Sequence, residues 1–132
     1  MSLKQKLISL FAALALVVSL CAVVAAPVSG LTVTAVTATP ATAGAAAQFT
    51  ITGTLGAAIT VNVHTVSVTF PSAATVPATI SKAYITLNGV NPPADPVVAG
   101  NTVTFLTPSS LASGAAYTIV ISQLAGIKNP AV

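Results

Sequence analysis

From Leu31 onward, apolar and polar residues alternate with a period of two rather than 3.6, which predicts strands and no helix. Ala47, Phe49, Ile51, Gly53 and Leu55 interleave with Gln48, Thr50, Thr52 and Thr54, the pattern of a strand with one buried face and a threonine outer face. Residues 59–63 alternate in one phase and 66–70 in the other, so the slip near His64 and Thr65 predicts a β-bulge. Pro71 ends that strand. Residues 83–87 form the next, closed by Asn88-Gly89, a hairpin-turn pair. Residues 97–106 read as a tight hairpin around Ala99-Gly100-Asn101, and Tyr117, Ile119 and Ile121 mark the buried face of another strand. Residues 31–37 mix Leu, Val, Ala and Thr and make a weaker strand. Prolines 71, 77, 92, 93, 96 and 108 fall between strands, where a missing N–H does no harm.

The first thirty residues follow another rule. Lys4 and Lys6 open a short positive region, residues 7–24 are apolar apart from Ser9, Ser19 and Cys21, and the small residues Ala25, Ala26, Val28, Ser29 and Gly30 follow around Pro27. This is the three-part layout of a secretory signal. It predicts a signal helix over residues 1–30 and a single domain over 31–132. Val23 and Ala25 satisfy the small-residue rule before Ala26, and Val28 and Gly30 satisfy it before Leu31. The competing outcome is an uncleaved anchor, since residues 7–26 are about 20 in number and long enough to span a bilayer. The membrane is then touched through this N-terminal segment alone. Either outcome leaves the lysines inside and the domain outside the cytoplasm, at the cell surface or extracellular. Cys21 also invites a lipoprotein reading, but Leu20 before it fits that signal poorly.

Charge then narrows the function. The 132-residue chain has four Lys, no Arg and one acidic residue. Lys4 and Lys6 lie in the signal, so residues 31–132 carry only Lys82, Lys128 and Asp95. No run of cations exists to neutralise phosphates, which excludes nucleic acid as a partner. Half of residues 31–132 are Ala, Thr or Val. Such a surface hydrates through hydroxyls and packs against copies of itself without stripping water from charges. Cys21 is the sole cysteine and lies in the signal, so the domain holds no disulfide.

Catalysis needs titratable groups, and His64 and Asp95 are the only acid–base pair available in the domain. His64 reads as a polar residue on a strand face and Asp95 as a turn residue in its proline-rich loop. Ser67 and Ser72 lack the flanking glycines of a nucleophile elbow. The inventory therefore gives no catalytic residue, no cofactor-binding residue and no metal set. Zinc would need three or four ligands, and one Asp is too few to hold calcium tightly, although weak calcium binding by loop carbonyls stays open. Sugar recognition would use exposed aromatic rings. There is no Trp. Tyr84 is out of phase with Ala83, Ile85 and Leu87, which predicts an exposed ring and a candidate contact.

Five segments occur in a telling order: Ala-Gly-Ala-Ala-Ala-Gln-Phe-Thr-Ile (43–51), Val-Thr-Phe-Pro (68–71), Ile-Thr-Leu-Asn-Gly (85–89), Ala-Gly-Asn-Thr-Val-Thr-Phe (99–105) and Ala-Gly-Ile-Lys-Asn-Pro (125–130). Over roughly residues 36–130 the chain resembles the immunoglobulin-like modules repeated in bacterial surface-layer and adhesin-type proteins. The resemblance implies an all-β, immunoglobulin-like β-sandwich of about six to seven short strands. It also implies a non-catalytic structural module of a surface coat, stalk or filament, whose partners are other copies of itself or other surface proteins. The alternative is an extracellular adhesive or carbohydrate-binding module. The family pattern expects a final strand after Asn129-Pro130, whereas this sequence runs on only to Ala131-Val132. Two explanations fit: the sequence is incomplete, or a neighbouring subunit supplies the strand. In the second case Leu31, Val33, Ala35 and Thr37, extended and uncharged, form the candidate donor strand.

Overall fold

A computed structural model of the chain describes residues 17–22 and 31–131. Among the described residues eight strands are present: β1 (Val17–Ala22), β2 (Leu31–Thr39), β3 (Gln48–Leu55), β4 (His64–Thr69), β5 (Ile85–Leu87), β6 (Val97–Ala99), β7 (Thr102–Leu106) and β8 (Ala116–Ile121). They form two four-stranded antiparallel sheets, β1-β4-β7-β6 and β2-β3-β8-β5. The all-β expectation holds. Among the described residues no helix is long and apolar enough to cross a membrane.

Alternation builds the core. Phe49 and Ile51 of β3, Ile119 and Ile121 of β8, Val66 and Val68 of β4, and Val103 and Phe105 of β7 are all buried in one cluster. The two sheets meet through Phe49 and Phe70, whose rings stand edge-to-face with centroids 5.0 Å apart. Each such ring brings both its apolar area and a favourable quadrupole geometry. On the outer face of the first sheet, hydroxyls pair across β4 and β7: Ser67 with Thr104 at 2.8 Å and Thr69 with Thr102 at 3.0 Å.

The turns follow the residues that permit them. Asn88 and Gly89 both adopt positive φ (50° and 82°) and fold Leu87 back onto Val90. Two positive-φ residues in succession make the primed turn that suits strand twist. At the far end, Ile127–Asn129 is held on both sides. Ala47 N donates to Ile127 O and Asn129 N to Ala45 O, while Lys128 and Thr75 exchange both backbone bonds. Asn129 is 2% exposed, and its Nδ2 donates to Pro40 O at 2.9 Å and Thr42 O at 2.8 Å. This clamp fixes the turn that follows the cis Thr39–Pro40 bond.

Three expectations are corrected. Residues 59–63 are not a strand: Val63 N and His64 N both donate to Thr60 O, Asn62 takes φ 59°, and only Ile59 pairs, with Leu111. The phase slip near His64 therefore marks a tight turn, and β4 begins after it. The bulge lies instead in β2, where the register to β3 shifts between Val33 and Ala35. Finally, the signal expected over residues 1–30 lies outside the described residues except at Val17–Ala22. That segment is a strand, not part of a helix, paired residue for residue with β4 from Val17↔Thr69 to Ala22↔His64. A valine-bearing segment beside the open edge of a strand gains a full ladder of backbone hydrogen bonds by extending.

Candidate functional site: two neighbouring strand edges

The outermost strands are β1 and β6 in one sheet and β2 and β5 in the other. β2 is the longest strand, nine residues without a charge, and most of it is exposed. Its bulge decides which side chains face inward. Opposite residues of an antiparallel pair share a face. Leu31 lies opposite Leu55 and Val33 opposite Gly53, whereas past the bulge Val36 lies opposite Ile51 and Ala38 opposite Phe49. Ala35 and Thr37 are thereby turned outward with Thr52 and Thr50. The candidate donor residues Leu31, Val33, Ala35 and Thr37 thus do not share one face. Leu31 is half-buried against the core, and the other three are exposed. All four sit in β2, hydrogen-bonded within their own chain. The sequence mixed the two phases because a bulge reverses alternation midway.

A specific anchor holds β2 in place. Tyr117 on β8 is 2% exposed, and its hydroxyl reaches across β3 to donate to Thr32 O at 3.1 Å. Gly53, directly opposite Tyr117, makes the crossing possible. A Cβ there would overlap the Thr32 carbonyl oxygen and the Tyr117 hydroxyl. A glycine in a strand interior marks such a close approach. Burial raises the Tyr117 pKa above its ordinary 10.0.

The chemistry-bearing residues are taken up by the scaffold. His64 Nδ1 accepts the Thr60 N–H at 2.8 Å and caps the turn before β4. Asp95 Oδ1 accepts the Lys82 N–H at 2.9 Å, while Lys82 Nζ donates to Pro93 O at 3.2 Å. Asp95 also borders an open pocket of about 380 Å³ on the outer face of the first sheet, together with Val97, Thr104 and Leu106. Among the described residues no three His, Cys, Asp or Glu side chains come together as a metal set.

No family model, no curated protein and no solved structure matches this chain.

Tyr84 corrects the remaining expectation. It ends a 3-10 turn at Lys82–Tyr84 that leads into β5, and it is half-buried against the core. Strand alternation does not apply in a 3-10 turn, where side chains repeat every third residue, so the phase argument for an exposed ring fails there. Sequence reasoning also missed Gly53, Tyr117 and Asn129 as a set of clamps. Gly53 inside a strand pattern was the one available signal.

Proposed function

We propose that this chain is a non-catalytic structural module of a surface coat, stalk or filament, exported by its N-terminal signal and working through contacts with other copies of itself. An immunoglobulin-like arrangement of the two sheets belongs to this proposal, as does placement outside the cytoplasm. The observation that carries it is the uncharged nine-residue edge of β2, lying on a domain whose surface offers almost no charge. A long edge strand presents unpaired N–H and C=O groups, and natural monomers usually blunt such edges with lysine or proline. Here only the bulge interrupts it. His64 and Asp95 each accept one backbone N–H, a scaffolding role consistent with this reading. The carbohydrate-binding alternative gains no support from Tyr84, which is half-buried against the core.

The test is the mass and shape of the processed protein. Size-exclusion chromatography and negative-stain imaging across a concentration series should show ordered oligomers or filaments. A monomer at every concentration would sink the structural reading.

A further inference from the structure

The strand that covers β4 comes from the segment whose composition reads as a signal. Val17–Ala22 pairs with all six residues of β4, and both candidate cleavage points, before Ala26 and before Leu31, lie downstream of it. Hydrolysis of one peptide bond, with water supplying the two new termini, would therefore leave β1 held only by its backbone pairing to β4 and free to dissociate. β4 would then become an edge, with Val66 and Val68 (2% and 0% exposed with β1 in place) beside the opening.

We infer that β1 is a removable cover strand, and that the β4 edge it vacates pairs antiparallel with the β4 edge of a second copy. This rests on the self-assembly proposed above, names a trigger for it, and adds a second edge, β4, to that of β2.

The occupant follows from the pattern of β4 itself. Its residues alternate, with Val66 and Val68 inward and Thr65, Ser67 and Thr69 on the outer face. Two copies paired antiparallel about Ser67 place Val66 opposite Val68 of the other copy and Thr65 opposite Thr69. Every inward residue then meets an inward residue and every hydroxyl meets a hydroxyl. A self-complementary strand is what a two-fold contact requires. β2 is a second open edge, and its register break between Val33 and Ala35 makes the unbroken β4 the better match for a two-fold contact. No ionisable side chain but His64 lies on β4, and the imidazole of His64 is already turned back onto Thr60. The backbone ladder gives the affinity, as in other strand-addition contacts.

The experiment uses the full chain and the protein's own Cys21, which lies directly opposite Thr65 in the β1–β4 register. In Thr65→Cys, oxidation should join the introduced thiol to Cys21, and mass spectrometry of the linked peptides should show it. Treatment with signal peptidase then cuts the chain while the disulfide keeps β1 on β4. The expected result by analytical ultracentrifugation is a monomer before reduction and a doubled mass after it. The wild-type chain should double in mass on cleavage alone. Ser67→Cys, processed and oxidised, should form a disulfide-linked dimer, whereas Thr69→Cys should not, since only position 67 meets itself. Failure of the Cys21 disulfide to form would overturn the inference, because β1 would not lie on β4. Equal self-association of locked and reduced protein would also overturn it, yet leave the structural reading standing. A processed wild-type protein that stays monomeric would overturn both. Should Thr65→Cys not fold, the Ser67→Cys result decides alone.

Discussion

The two sides of the molecule end their sheets in opposite ways. On one side β5 and β6 are three residues each, and a side chain closes over β5: Asn91 Nδ2 donates to Ile85 O at 2.8 Å and Lys82 O at 3.0 Å, while Asp95 and Lys82 tie the loop that leads to β6. On the other side β1 and β2 are six and nine residues long, and strands rather than side chains do the covering. A short edge plugged by an amide offers no template for another chain. A long edge satisfied by strand pairing can exchange one strand for another, because the incoming partner makes the same bonds. The contrast places a side-chain-plugged edge on the β5 side and the long strand edges on the β1–β2 side.

That contrast can be broken most forcefully at Gly53. Gly53→Ala should cost about 3 kcal/mol, the upper end for overpacking, because the obstacle is the Thr32 backbone and not a flexible side chain. Hydrogen exchange should show the loss concentrated in β2, with β5 and β6 protected as before. A uniform loss across both sides would refute the division.

Tyr117→Phe should be milder, about 1 kcal/mol in urea unfolding, since one hydrogen bond is lost and exposed Thr32 can turn to water. It should also change the alkaline limb. Tyr117 has a folded pKa above its unfolded value of about 10, so the folded state holds the proton more tightly there. Stability from this group is complete below pH 10 and falls as pH rises past it. The wild type should therefore lose stability in that range more steeply than the phenylalanine variant, as read by urea midpoints at pH 9 and above.

Asn91→Ala should show the smallest effect, on the order of 0.5–1 kcal/mol, because the bonds lie at a partly exposed site. Its diagnostic value is qualitative. With the amide plug gone, exchange at β5 should quicken while self-association through the opposite side is unaffected.

Parts of this fold were open to reading from residue order. The β3 and β8 strands carry clean alternation, and the Asn88-Gly89 and Gly100 turns carry residues that tolerate positive φ, so pattern and geometry agree there. The errors have a common origin, which is that alternation cannot tell a turn or bulge from a continuing strand. Residues 59–63 alternate but fold over Thr60, and β2 mixes its phases because Thr34 is inserted without a partner. The strand over residues 31–37 was legible, but Leu31, Val33, Ala35 and Thr37 do not share one face across the bulge. Asn129 looked like a motif preceding a last strand, whereas its work is done far away, on carbonyls at positions 40 and 42. Nothing local in the sequence signals a partner so remote.

That remoteness has a consequence for how the chain comes into being. Asn129 closes a loop across 89 positions of sequence, and its amide is what pins the carbonyls of Pro40 and Thr42. Contacts so distant form late, because their closure entropy must be met before they reward the chain. A ribosome releases residues in order, so the turn after β2 waits for residue 129 to emerge. The asparagine that locks the finished fold thus leaves the growing chain unlocked until position 129 has been made.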